Sequence, residues 1–153
     1  MPMRIVPKVG IDSIKLGMSR DEVSSQWGSP DSIYDFIALE DSPEDKWIVW
    51  KYDKGIELNF DSEEEFLLIS IDIGSAGVTF ENVVLIGMSE KELRLKFPNI
   101  QYDDEFELDS GRNYILSEHE LSFWLVDGKV NNITISPEFD KSNSYPLWPR
   151  KNI

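Results

Sequence analysis

Leu16-Gly17-Met18-Ser19-Arg20-Asp21-Glu22-Val23 recurs, little changed, seventy positions later as Ile86-Gly87-Met88-Ser89-Glu90-Lys91-Glu92-Leu93. Gly, Met, Ser and Glu keep their spacing. A β-branched run precedes each copy (Ile11 to Leu16; Val78 to Ile86), and an aromatic residue with a nearby proline follows it (Trp27…Pro30; Phe97-Pro98). Further on, Gly55-Ile56-Glu57-Leu58-Asn59-Phe60 is echoed by His119-Glu120-Leu121-Ser122-Phe123, and Ile69-Ser70-Ile71 by Ile133-Thr134-Ile135. Self-similarity at a fixed interval marks a duplicated unit. The chain therefore reads as two tandem α+β repeats: residues 1–76 with an N-terminal lead-in, and 77–153 with a Pro- and aromatic-bearing tail. Gly74-Ser75-Ala76-Gly77 is the expected joint.

Each copy carries its own helix start. Ser19 with Glu22 three residues on forms a capping box, in which the hydroxyl accepts from a free first-turn amide and the Glu side chain reaches back. The spacing predicts a helix over 20–27, stopped by Gly28-Ser29-Pro30, and a second over 90–97, stopped by Pro98. The serines are spoken for by capping, which leaves Gly-Met-Ser no catalytic reading. Strands are expected over 47–52, 56–60, 66–71, 113–117, 120–126 and 129–135, with Asp127-Gly128 as a tight hairpin turn. Residues 33–38 read as a strand or a short helix, and residues 101–109 as an acidic loop.

Period two then assigns faces. Leu58, Phe60, Ile69, Ile71, Leu121, Phe123, Ile133 and Ile135 should pack under the helices. Glu57, Asn59, Ser70, Asp72, Glu120, Ser122, Trp124, Asn132 and Thr134 should point the other way. The expected architecture is thus two helix-plus-antiparallel-sheet repeats, helices on one sheet face and the other face open. The aromatic tail around Tyr145, Leu147 and Trp148 is a ready cover for Trp124.

Composition narrows the chemistry. Twenty-nine acidic residues against fifteen basic ones give a formal charge of -14, which opposes nucleic acid and anionic membranes and favours a cationic partner. No cysteine and a single histidine, His119, remove thiol chemistry, disulfides and His/Cys metal sets. No phosphate loop, dinucleotide fingerprint or calcium-loop spacing occurs, so no cofactor and no metal are expected. Carboxylate pairs are too abundant to single out any one pair for acid–base chemistry. The N-terminus lacks the apolar run of a secretory signal, and the expected compartment is the cytoplasm.

The repeated Gly-Met-Ser-x-x-Glu start, the Gly28-Ser29-Pro30 exit and the hairpins that follow resemble the β-lactamase-inhibitor-protein-like architecture, also seen in small outer-membrane lipoproteins of the barrel-assembly machinery. The second copy departs at its exit, Phe97-Pro98-Asn99. A lipoprotein cysteine and the inhibitor's disulfide cysteines are missing. What the resemblance implies is a helix pair on a small antiparallel sheet serving as a protein-binding module. Compact, acidic, cysteine-free members of this kind look like immunity proteins that neutralise a cationic toxin domain such as a nuclease. A scaffold or assembly module of the same fold, and a carboxylate-dependent hydrolase, are the alternatives. The expected contact set is Glu57, Asn59, Glu120 and Trp124 on the sheet, with Asp103, Asp104, Glu105, Glu107 and Asp109 as the acidic loop. No catalytic residue is expected.

Overall fold

The structure is a computed structural model that describes residues 2–108, 111–142 and 144–149, with side chains of residues 104–108 excepted. In chain order it builds β1 (Met3–Val6), β2 (Gly10–Ile11), β3 (Ile14–Lys15), α1 (Arg20–Trp27), β4 (Ser32–Ile37), β5 (Lys46–Tyr52), β6 (Ile56–Asp61) and β7 (Leu67–Ile73). There follow β8 (Val78–Phe80), β9 (Val83–Val84), α2 (Glu90–Lys96), β10 (Gln101–Leu108), β11 (Gly111–Leu116), β12 (Leu121–Val126), β13 (Lys129–Ile135), β14 (Glu138–Phe139) and β15 (Pro146–Leu147). No helix among the described residues is long and apolar enough to cross a membrane.

Two helix-plus-sheet repeats are not what the chain makes. The molecule is mostly β, and its helices have only eight and seven residues. Eight strands form one sheet in the order β10-β11-β12-β13-β7-β6-β5-β4, and five short strands form a second, β3-β2-β1-β8-β9. The large sheet runs without a break across residues 76 and 77, because β13 pairs with β7 through Ile133↔Ile73, Thr134↔Asp72 and Ile135↔Ile71. The reason lies in cover. Each helix gives the core one fully buried side chain, Val23 or Leu93, far too little to roof four strands. The small sheet supplies the rest through Ile5, Ile11, Ile14, Val78 and Phe80, packed in one cluster with Leu58, Phe60, Ile71, Phe123 and Ile133.

Both capping boxes form. Ser19 Oγ accepts from the Glu22 amide at 3.1 Å while Glu22 Oε1 accepts from the Ser19 amide at 3.0 Å, and Ser89 and Glu92 repeat this at 3.1 Å each way. Each box is worth about 1 kcal/mol. The glycine ahead of each box has a separate job. The Gly17 amide donates to Leu68 O (2.8 Å) and the Leu68 amide to Met18 O (2.9 Å); the Gly87 amide donates to Val130 O (2.8 Å) and the Val130 amide to Met88 O (2.9 Å). Holding that clamp requires φ of +89° and +91° at the two glycines, a region that side chains other than glycine's enter at a cost. The repeated motif thus ties each helix start to the beginning of a sheet strand.

Three further expectations change. The expected lead-in over residues 1–10 instead contains β1, which runs parallel to β8 with Met3↔Val78 and Arg4↔Thr79. The acidic loop over 101–109 is, as far as Leu108, the edge strand β10, paired with β11 through Gln101↔Ile115, Tyr102↔Tyr114 and Asp103↔Asn113. Ile69, although buried, stays outside the main core cluster. A bulge between Asn59 and Phe60 shifts the register so that Leu68, not Ile69, lies opposite Phe60, and one extra residue reverses the faces beyond it.

Candidate functional site

The face of the large sheet turned away from the core carries a continuous row across all eight strands: Ser32, Lys51, Glu57, Asp72, Thr134, Ser122, Ile115 and Gln101. All but Ile115 are polar, and each is exposed or half-buried. At its middle, Asp72 is held from both sides. Asn59 Nδ2 donates to Asp72 Oδ2 (3.0 Å) and to Ser70 Oγ (2.9 Å), and Thr134 Oγ1 donates to Asp72 Oδ1 (2.7 Å). Asn59 and Ser70 are 3% and 6% exposed, so this is a fixed polar floor and not a fringe of mobile side chains.

Glu57 stands directly opposite Asp72 on the neighbouring strand, with Lys51 on its other side. Like charges facing each other across a strand pair oppose folding. Tyr34 Oη donates to Glu57 Oε1 at 3.1 Å; burial first, then the Glu57 charge, raises the Tyr34 phenol above its ordinary value and keeps it a donor. Chemically the face offers acceptors: two neighbouring carboxylates and several amide and hydroxyl groups, held in register by the backbone.

Of the residues expected to make contacts, register places Glu57, Asn59, Trp124 and Asp103 on this face. Trp124 pairs with Asn113 and Asn132, and Asn113 in turn with Asp103. Among the described tail residues, Trp148 packs on Gly17, where an added Cβ would lie 2.9 Å from its Cδ2, and Tyr145 and Leu147 are exposed. Trp124 is occupied otherwise. Its indole lies against Gly111, where a Cβ would come within 2.6 Å of Cε2, so a side chain on β12 fills the gap left by a glycine on β11. Asp104, Glu105 and Glu107 lie along β10, with side chains outside the described residues, and Asp109 lies wholly outside them. Sequence reasoning placed Asp72 and Thr134 on this face but left them out of the contact set; their central position depends on the β7–β13 pairing, which no local signal marks.

Glu120 is elsewhere. It sits in the turn before β12 with φ of +50°, so the alternation along the strand does not extend back to it. Its surroundings are Lys8 and Glu138, which themselves approach to 3.8 Å. Burial raises the Glu120 carboxyl above its ordinary 4.5, with Lys8 opposing and Glu138 reinforcing. A carboxyl whose folded-state pKa exceeds its unfolded one costs nothing below the unfolded value; the cost grows as pH rises through the window between the two, and above the folded pKa it is fully present. Glu120→Gln is therefore expected to raise Tm at neutral pH and to leave it unchanged near pH 3, where the carboxyl is protonated in both states. Identical Tm values at neutral pH would show that burial there is without consequence.

His119 stacks edge-on against Phe80, with ring centroids 5.7 Å apart. Glu90 accepts from Tyr114 Oη and from Arg94 Nε (3.2 Å), a set that fastens α2 to β11, and the Tyr114 hydrogen bond holds the Glu90 carboxyl below its ordinary value. Among the described residues no group of three His, Asp or Glu is placed to hold a metal ion.

No family model matches the chain, and no curated protein matches it. It is similar to the crystal structure of the uncharacterized protein yfeY from Escherichia coli, with a TM-score of 0.56 at 12% identity, over 89% of this chain and 99% of that one. That likeness is one of fold. An extracellular protein containing a SCP domain from Bacillus anthracis str. Ames is similar at a TM-score of 0.47 and 12% identity, over 80% of this chain. The chain spans 44% of that protein's length.

Proposed function

We propose that the chain is a non-catalytic binding module that receives a cationic protein surface on the outer face of its large sheet, and that it works as an inhibitor of the immunity type, occluding a basic toxin domain such as a nuclease. The observation that carries this reading is the Glu57–Asp72 pair. Two carboxylates set opposite each other on adjacent strands in the middle of a sheet form a paired acceptor suited to an arriving Arg or Lys. The backing network of Asn59, Ser70 and Thr134 keeps Asp72 in place beforehand, which lowers the ordering cost of association. A net charge of -14 adds long-range attraction to a basic partner and so speeds encounter. The toxin-immunity form of the proposal rests on resemblance and charge together.

The test is capture from the native cell with the wild-type chain and with a Glu57→Lys/Asp103→Lys double variant. Both positions are accessible on the sheet face, and neither lies in the core. The expected result is a basic protein retained by the wild type, with affinity falling by about tenfold or more in the variant and declining as salt rises. Equal retention by a folded variant, or capture that does not respond to salt, would remove this face from consideration.

A further inference from the structure

The two edges of the large sheet differ in kind. At one end β10 carries the run Asp103-Asp104-Glu105-Phe106-Glu107, and charge along an edge blunts pairing with other chains. At the other end β4 carries a single charge, Asp35, which is already paired with Lys46. It has no proline and no lysine, pairs with β5 through six successive residues without a bulge, and is exposed along its whole length. Ile33, Tyr34, Phe36 and Ile37 are 58%, 45%, 54% and 41% exposed. Among the described residues no strand meets the N–H and C=O groups that alternate outward along this edge.

The sequence of this edge is nearly a palindrome in character: Ile33-Tyr34-Asp35-Phe36-Ile37. We propose that β4 pairs with β4 of a second copy, antiparallel about a two-fold axis through Asp35, to give a dimer with one sixteen-stranded sheet. A dyad normal to the sheet keeps inner faces together, so only residues of the same face can lie opposite each other. Centring on Asp35 then sets Tyr34 against Phe36 of the second copy, twice, on the outer face. It sets Ile33 against Ile37 of the second copy, twice, on the inner face. Centring one residue earlier would set Asp35 against an isoleucine, and one residue later would do the same with Ile37.

The sole like-charge contact in the favoured register, Asp35 on Asp35, is compensated. Lys46 Nζ lies 2.9 Å from Asp35 Oδ2 within each copy, so two lysines and two aspartates meet at the dyad with no net charge. Aromatic pairs and β-branched pairs across strands are the pairings that stabilise sheets most. Because each copy is strongly acidic, the dimer is expected to tighten as salt screens the remaining repulsion.

Sedimentation velocity on the full chain at rising concentration and salt tests this directly, and the expected species has twice the 17.7 kDa chain mass. Phe36→Lys with Ile33→Lys is expected to weaken self-association by tenfold or more, on the order of what four lost apolar cross-strand pairs imply. Register is read by thiols, since the chain has no cysteine of its own. Asp35→Cys should form an intermolecular disulfide on mild oxidation, because directly opposed Cα atoms lie about 4.5–5.5 Å apart. Ile33→Cys alone should not, but mixed with Ile37→Cys it should. A wild type that stays monomeric with no Asp35→Cys cross-link overturns the proposal and leaves the edge to a strand from another protein. Cross-linking of Ile33→Cys to itself overturns the register.

Discussion

Gly10→Ala should unfold much of the small sheet's contribution to the core, at a cost of about 3 kcal/mol or more. Gly10 opposes Lys15 in the β2–β3 hairpin and has φ of +154°. An added Cβ would stand 2.0 Å from Ile14 O and 3.0 Å from both Ile14 C and Lys15 Cα. All three are backbone atoms, so no side-chain rotation relieves the clash, and the hairpin must open. Opening it displaces Ile11, Ile14 and Leu16, each 0% exposed. Urea unfolding followed by tryptophan fluorescence should show a lowered midpoint and a shallower slope, because the opened hairpin already exposes part of the surface that unfolding would expose. A variant with the wild-type midpoint would mean that β2 and β3 do not pack as described.

Phe123→Ala is expected to cost about 3–5 kcal/mol, the range for a buried aromatic cut back to a methyl. Phe123 is fully buried on β12, opposite Tyr114 on β11 and Ile133 on β13. Its ring stacks on Phe97 with centroids 5.8 Å apart, and Phe97 meets Phe80 of the small sheet at 5.8 Å. The Phe123 ring on the large sheet thus reaches the small sheet through Phe97 at the end of α2. Neighbours held by backbone pairing on both sides cannot collapse into the space, which puts the loss toward the upper end. At this chain length the shift in Tm should be about 6–20 °C. A loss under about 1 kcal/mol would show that the three elements are not tied through this ring.

What the sequence made legible was local. Ser19 and Glu22, Ser89 and Glu92, and Asp127-Gly128 act on amides within four residues of themselves, so their spacing alone specifies helix starts and a two-residue turn. What it hid was non-local. Met3 finds its partner at Val78, and nothing near Met3 announces a parallel strand. The duplicated motif was visible, but the β7–β13 seam that joins the strands into a single sheet, and the small sheet that roofs it, were not. Dense carboxylates make β10 look like a loop in sequence, since composition masks cross-strand pairing. In the candidate site, alternation along β6 and β12 placed Glu57, Asn59 and Trp124 on one face, whereas Glu120 was misplaced because a left-handed turn residue ends the alternation. Alternation puts Ile69 on the core face, but a bulge adds a residue without leaving a mark in the hydrophobic pattern.

The unlike margins of the large sheet also set how far self-association can go. Joining two β4 margins consumes the sticky side of both copies and leaves a carboxylate-rich margin at either extremity, where any newcomer meets repulsion and not a template. Growth stops at two, so a chain with a long apolar margin can accumulate to high concentration without propagating into fibres.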